Sequence, residues 1–271
     1  MVFRQYKFYP NEIGETMNNK VNILGINIDN INPQQFIEKI EELVSKKECT
    51  YVCFSNVHTI VTSQTDTELS KITNQSAIVA PDGMPVVWTA KLLGAKQIEK
   101  CSGPDMMEEI FKLSDRKAYS HYFYGGTNDT LLKLKEKLID KYPNIKIVGM
   151  YSPPFRPLTK EEDEMIIRQI NEANPDFIWV GLGAPKQEKW MAEHCSLIDR
   201  GILLGVGAAF NFYAGTVKRA PKWMQDAGLE WFYRLIKEPK RLWKRYLTTN
   251  TLFIYYFIKQ FINKKNNYKG V

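Results

Sequence analysis

Short, near-continuously apolar runs alternate with amphipathic stretches along most of this chain, and that alternation limits the fold more than any other feature. Residues 21–28, 51–55, 77–80, 119–124, 145–150, 177–181 and 202–205 are rich in β-branched or aromatic side chains and too short to be buried helices. They read as interior strands. Between them apolar residues fall at helical spacing. Pro33 opens one helix, Thr127 begins another that runs to about Tyr142, and Thr159 with Glu162 forms a capping box ahead of Met165, Ile166 and Ile170. Strand and helix in alternation require crossover connections. The pattern therefore predicts an α/β, Rossmann-like fold, a mostly parallel sheet with helices on both faces.

A chain of 271 residues suffices for one main domain and a modest appendage. Its 44% hydrophobic and 25% charged content belongs to a folded globular protein. Cys49, Cys53, Cys101 and Cys195 form no C-x-x-C pair and read as reduced thiols of a cytoplasmic protein. The polar and aromatic stretch 1–20 has no basic segment leading into an apolar run, so no secretory signal is expected. The longest apolar stretch, 251–262, is broken by Lys259 and Gln260 and falls short of the ~20 residues that span a bilayer. Charge divides the chain further. From residue 216 onward there are thirteen basic and three acidic residues, whereas the whole chain carries +7, so the preceding part is mildly acidic. The expected organisation is an N-terminal extension over 1–20, a core over 21–215 and a basic helical appendage over 216–271. Such a tail favours an anionic partner, phospholipid or nucleic acid.

In a parallel sheet ligands bind beyond the carboxyl ends of the strands. The residues at those places are polar or glycine-rich: Asn56, His58 and Thr59; Asp82 and Gly83; Gly125, Gly126 and Thr127; Gly183, Lys186, Gln187 and Glu188; Gly207 and Asn211. Asp82 stands at a strand end beside a sharp turn, a good place for a general base. An Asx turn or a helix N-cap is the commoner use of an aspartate in such a place, and the motif alone favours it; the surrounding sequence shifts the balance. Gly125 and Gly126 allow backbone N–H groups to approach a phosphate at a helix start, and a tight turn needs the same glycines. The segments from Gly181 and from Gly205 share part of the dinucleotide-binding spacing, but Lys186 and Phe210 replace the third glycine, which argues against a nucleotide-dependent oxidoreductase. His58, His121 and His194 are far apart, and there is no Asp-x-Asp motif, so neither a metal nor another cofactor is expected. The tail reads as two helical pieces broken at Pro239, with apolar residues such as Leu229, Phe232 and Ile236 beside Arg234, Lys237 and Arg241. That is the pattern of an interfacial helix, and also of a helix docked on the body with a solvated face. A nucleic-acid-binding module would explain the charge but not Asp82 or Gln187.

Taken in order, these segments resemble the WecG/TagA/CpsF family of bacterial glycosyltransferases from about Val21 to Tyr246. The resemblance rests on Asn56, Pro81-Asp-Gly, Leu92-Leu-Gly with Ser102-Gly-Pro-Asp, Tyr124-Gly-Gly, Gly183-Ala-Pro-Lys-Gln-Glu, the glycine-rich run from Gly205 to Gly215, Arg219-Ala-Pro and Gly228-Leu-Glu-Trp-Phe-Tyr-Arg-Leu. It implies an inverting, metal-independent transfer of a sugar, such as N-acetylmannosamine or glucose, from a UDP-sugar onto a polyprenyl-diphosphate-linked sugar in cell-surface polysaccharide synthesis. Asp82 falls on the family's proposed base. Asn56, Lys100, Ser102, Gly125, Gly126, Gln187, Glu188 and Asn211 fall on the donor side. Arg234, Arg241 and Lys244 fall on positions that would face the lipid diphosphate, in an appendage that would bind the cytoplasmic face of the membrane. No nucleic acid is then expected, and a homo-oligomer stays open. Lys100 stands where arginine is common, Phe54 where the TagA branch has threonine and Asn211 where aspartate is usual, which bears on the donor sugar more than on the reaction.

Overall fold

The computed structural model describes residues 19–268, with side chains to residue 263. The expected extension over 1–20 therefore lies outside the described residues except for Asn19 and Lys20, as does Lys269. In chain order the elements are β1 (Lys20–Ile23), β2 (Ile26–Asp29), α1 (Pro33–Lys46), β3 (Cys49–Ser55), α2 (Val57–Thr62), α3 (Thr67–Gln75), β4 (Ile78–Pro81), α4 (Met84–Leu92), α5 (Gly103–Lys117) and β5 (Ser120–Gly125). There follow α6 (Asn128–Lys141), β6 (Lys146–Tyr151), α7 (Lys160–Ala173), β7 (Phe177–Gly181), α8 (Lys186–His194), β8 (Gly201–Gly205), α9 (Ala209–Ala214), α10 (Lys222–Asp226), α11 (Glu230–Lys237) and α12 (Pro239–Tyr268).

Six strands form a sheet in the order β4-β3-β8-β7-β5-β6, and every neighbouring pair is parallel. Helices cover both faces, as the alternation predicts. On one face α1, α5 and α6 pack Phe36, Met107, Phe111 and Leu134 against Val52, Phe123, Trp179 and Leu204. On the other, Ile166 and Ile170 of α7 and Met191 of α8 cover Tyr122, Ile178 and Leu203. Burying each such side chain contributes roughly 1.5–3 kcal/mol. The capping box expected at Thr159 is formed in both directions, at 2.9 and 3.3 Å. All four cysteines are free, and the Cys49 and Cys195 sulfurs lie 2.8 Å apart.

Residues 21–28 are not a strand of that sheet. They fold into an antiparallel β1–β2 hairpin whose two-residue turn, Leu24-Gly25, takes positive φ at both positions. That geometry matches the twist of paired strands. Asn22 Oδ1 fixes the turn by accepting from the Gly25 N–H at 3.0 Å. The hairpin shares a third apolar cluster with α2, α4 and α12, in which Phe253 is 5% exposed. Gln260, which interrupts the last apolar stretch, donates to Asn22 O and accepts from the Leu24 N–H, pinning α12 to the hairpin. The tail helix is thus docked on the body along one side. Its other side exposes Trp243, Leu247, Ile254, Tyr255 and Ile258. The break at Pro239 falls as expected, between α11 and α12.

Candidate active site

The carboxyl ends of β3, β4, β5, β7 and β8 open into one cleft of about 1890 Å³, closed on the far side by α11 and α12. Small-molecule pockets usually run to ~300–1,000 Å³, so this one has room for two substrates.

Asp82 sits partly buried at its floor, directly after β4. Its side chain is not spent on capping: the N-cap of α4 is Gly83, with no side-chain cap bond. Asn56 is the residue that caps, and it does two things at once. Its Oδ1 accepts the Thr59 N–H at 3.1 Å to cap α2, which turns Nδ2 toward Asp82, where it donates to Oδ2 at 3.1 Å. A helix cap therefore orients the carboxylate. Burial raises the Asp82 pKa to about 6, with Glu230 and Asp105 adding to the rise while Asn56 and Arg219 oppose it. A carboxylate so tuned is ionised at neutral pH yet basic enough to take a proton. His58, on the same wall, is moved the other way, to about 4, by burial and by Arg245.

The glycine-rich loops divide into structural and cleft-lining positions. Gly125 was expected on the donor side, but its place in the fold is set by packing. A Cβ there would lie 2.6 Å from the Gly181 backbone carbon, and φ is +122°. It does not line the cleft, whereas Gly126 does. Gln187 and Glu188, in the first turn of α8, both line the cleft, yet both N–H groups of the Gln187 amide and one lone pair of its oxygen are already engaged. It donates to Gly205 O at 2.7 Å and Glu188 Oε1 at 3.0 Å, and accepts from the Gly183 N–H at 3.1 Å. Gln187 thus ties the ends of β7 and β8 together. Glu188 is 1% exposed, burial pushes its carboxyl above the usual range, and its Oε2 has no hydrogen-bond partner among the described residues. Phe210, at the third position of the partial dinucleotide spacing, packs against Gly181 and Phe123. Asn211 lines the cleft and accepts from the Thr216 hydroxyl at 3.2 Å.

Lys100 also lines the cleft, with its ammonium 3.3 Å from Asp105 and not aligned for a hydrogen bond. Ser102, expected on the donor side, lines the cleft and is held in a charged cluster. It donates to Asp105 at 2.5 Å and accepts from Arg219 at 3.2 Å. Arg219, Asp105 and Glu230 were not singled out from the sequence as site residues, although all three lie in quoted motifs, Ser102-Gly-Pro-Asp, Arg219-Ala-Pro and Gly228-Leu-Glu-Trp-Phe-Tyr-Arg-Leu. The appendage contributes Arg234, whose guanidinium lies 6.0 Å from the centre of the Phe212 ring, and Arg241, paired with Glu238 at 2.5 Å. Lys244 does not line the cleft. Its ammonium lies 5.5 Å from the Trp243 ring, and Arg245 stands in the wall instead. Helical geometry explains the exchange, because Arg245 is one turn from Arg241 and continues toward Thr249 and Phe253. The four-residue spacing was the signal available for Arg245.

Among the described residues no group of three or more His, Cys, Asp or Glu side chains is arranged to hold a metal ion. His121 is fully buried and accepts from the Trp179 indole at 3.0 Å; His194 is bonded to Asp163 at 2.8 Å. Among those residues, too, no helix is long and apolar enough to cross a membrane.

Residues 21–267 match the model of the "Glycosyl transferase WecG/TagA/CpsF family". A protein of Bacillus subtilis (strain 168) named N-acetylglucosaminyldiphosphoundecaprenol N-acetyl-beta-D-mannosaminyltransferase is 32% identical over 240 residues, covering 88% of this chain and 91% of that protein. A protein of the same name from Staphylococcus aureus (strain MW2) is 27% identical over 242 residues, covering 89% and 92%.

Proposed function

Since the chain belongs to the WecG/TagA/CpsF family of glycosyltransferases, we propose that it moves a sugar from a UDP-sugar onto a hydroxyl of a polyprenyl-diphosphate-linked sugar, with inversion and without a metal, at the cytoplasmic face of the membrane. In this reading Asp82 removes the proton from the acceptor hydroxyl as that oxygen attacks the anomeric carbon. The bond to UDP breaks on the opposite side, which inverts the anomeric centre. Charge developing on UDP is met by Lys100 and by the backbone N–H groups at the start of α6, beyond Gly126. Arg234, Arg241 and Arg245 on the facing wall suit the acceptor diphosphate, since a guanidinium offers paired hydrogen bonds to phosphate oxygens.

The observation that carries this proposal is the state of Asp82: uncommitted to any cap, oriented by Asn56, raised to about 6, and set at the floor of a two-substrate cleft. The donor sugar is N-acetylmannosamine, glucose or a relative. Phe54 in the cleft wall, where the TagA branch has threonine, keeps that choice open. The surplus of basic charge in the tail, together with Trp243, Leu247, Ile254 and Ile258 exposed on α12, supports peripheral attachment to an anionic leaflet. The test is incubation with a panel of UDP-sugars and a short-chain polyprenyl-diphosphate N-acetylglucosamine, read by product mass. One donor should add one sugar. No product from any UDP-sugar would refute the reading.

A further inference from the structure

The Ser102-Gly-Pro-Asp and Arg219-Ala-Pro motifs are separated by more than a hundred residues, and the chemistry above uses neither. In the fold they meet. Arg219 donates to Asp105 Oδ1 at 2.6 Å, to Ser102 Oγ at 3.2 Å and, through Nε, to Glu230 Oε1 at 3.3 Å. Lys100 approaches the other oxygen of Asp105 at 3.3 Å. One guanidinium therefore holds a carboxylate of the body and a carboxylate of the appendage at once, using the forked geometry that arginine has and lysine lacks. Glu230 is the first residue of α11, the helix that carries Arg234 into the cleft. On the body side, the Cys101 N–H donates at 2.9 Å to the carbonyl of Pro81, the residue before Asp82. The cluster is thus one peptide unit from the base and one helical turn from an acceptor-side arginine.

We propose that Arg219 is a positioning residue that fastens the C-terminal appendage onto the catalytic body, closing an ionic clasp with Ser102, Asp105 and Glu230 that seats α11 over Asp82. This inference rests on the function proposed above and adds a device for joining the cleft's two walls. The clasp is well formed. Burial opposes ionisation of Asp105, yet Arg219, Ser102 and Lys100 outweigh it and hold that carboxyl far below its usual range. Burial likewise opposes the charge of Arg219, and Asp105 and Glu230 more than restore it. Asp82 is faced by Asn56 from the N-cap of α2, Asp105 from α5, Glu230 from α11 and Arg219 from the connection before α10, with Lys100 and His58 in the same cleft. Seating α11 brings Glu230 near the base, where its negative charge disfavours the ionised form of Asp82.

The test uses the full-length protein and three variants. Arg219→Ala should raise amide hydrogen exchange in α10 and α11 at least about tenfold while α1 and α6 stay protected, and lower kcat/KM for the lipid-linked acceptor at least about tenfold. UDP affinity should change little. Arg219→Lys should restore part of both effects. Glu230→Gln removes a negative charge facing Asp82, so the acid limb of the pH profile should move to lower pH, a change that loss of packing alone would not produce. Unchanged exchange in α11 of Arg219→Ala, or an unmoved acid limb in Glu230→Gln, would overturn the clasp. Hydrogen exchange needs no turnover, so that readout separates the clasp from the base assignment, which Asp82→Asn tests by itself.

Discussion

Asn56→Asp is the substitution that most sharply separates orientation of the base from stability of the fold. Aspartate caps a helix about as well as asparagine, so the bond to the Thr59 N–H survives and α2 is retained. The bond to Asp82, however, becomes an opposition of two carboxylates at the place where donor and acceptor now lie 3.1 Å apart. At that separation and an effective dielectric constant of about 20, Coulomb's law gives an upper bound of about 5 kcal/mol. The open cleft screens this to roughly 2–3 kcal/mol, or about two pH units at 1.36 kcal/mol per unit. The base would then ionise near pH 8 rather than near the wild-type value of about 6. At pH 7 the ionised fraction falls from roughly 90% to roughly 10%, a loss of about ninefold that is recovered by pH 9. The assay is kcat/KM for sugar transfer between pH 5 and 9, with melting temperature as the control for folding. Asn56→Ala should differ in kind, losing about 1 kcal/mol of stability with its cap. If the acid limb of Asn56→Asp superimposed on that of the wild type, the argument that Asn56 governs Asp82 would fail.

The elevated pKa of Asp82 is also a statement about stability. Because its folded-state pKa of about 6 lies above the usual carboxylate value of 3.8, the folded protein binds the proton more tightly, and the cost of ionisation grows from pH 4 to 6 and then stays constant. Asp82→Asn should therefore be more stable than the wild type by about 1–3 kcal/mol at pH 7.5, with the advantage vanishing near pH 4; thermal melts across that range check it. Gly125→Ala should cost about 3 kcal/mol or more, or prevent folding, because a Cβ meets the Gly181 backbone at 2.6 Å, whereas Gly183→Ala, with nothing within 4 Å, pays only for its positive φ, about 1–2 kcal/mol. Denaturant melts of the two variants should rank in that order. Arg245→Ala should reduce transfer to the lipid-linked acceptor at least about tenfold, while Lys244→Ala should leave turnover of a soluble short-chain acceptor nearly unchanged.

Five strands of the parallel sheet were legible because they are largely buried on both faces and therefore apolar almost without interruption, and the edge strand β6, which exposes Lys146 and Val148, was legible from its run of apolar residues. The hairpin at 21–28 was not, since Leu24 at φ 51° gives no turn signal and the run reads as one continuous strand. Asp82 was legible as a strand-end carboxylate, but its freedom from capping was not, because that depends on whether the first turn of α4 places its N-cap at Asp82 or at the adjacent Gly83. Gln187 and Ser102 show the same limit from the other side. Both are where the glycine-rich and Ser-Gly-Pro motifs put them, at the cleft, yet their polar atoms are taken up by partners that spacing does not reveal. Lys244 follows from the resemblance and Arg245 does not, yet it is Arg245 that lines the cleft, because the rotation of a docked helix decides which basic side chain faces it. The bond from Arg219 to Asp105 spans 114 positions, beyond any local pattern.

The central claim, that Asp82 is the base of a sugar transfer, is tested most directly by measuring transfer from a UDP-sugar to a short-chain polyprenyl-diphosphate sugar with purified Asp82→Asn, alongside its affinity for UDP. General-base removal should lower the rate by about 10²–10⁴-fold while UDP still binds and the protein melts cooperatively. Turnover within a few-fold of wild type by a folded, UDP-binding Asp82→Asn protein would contradict it.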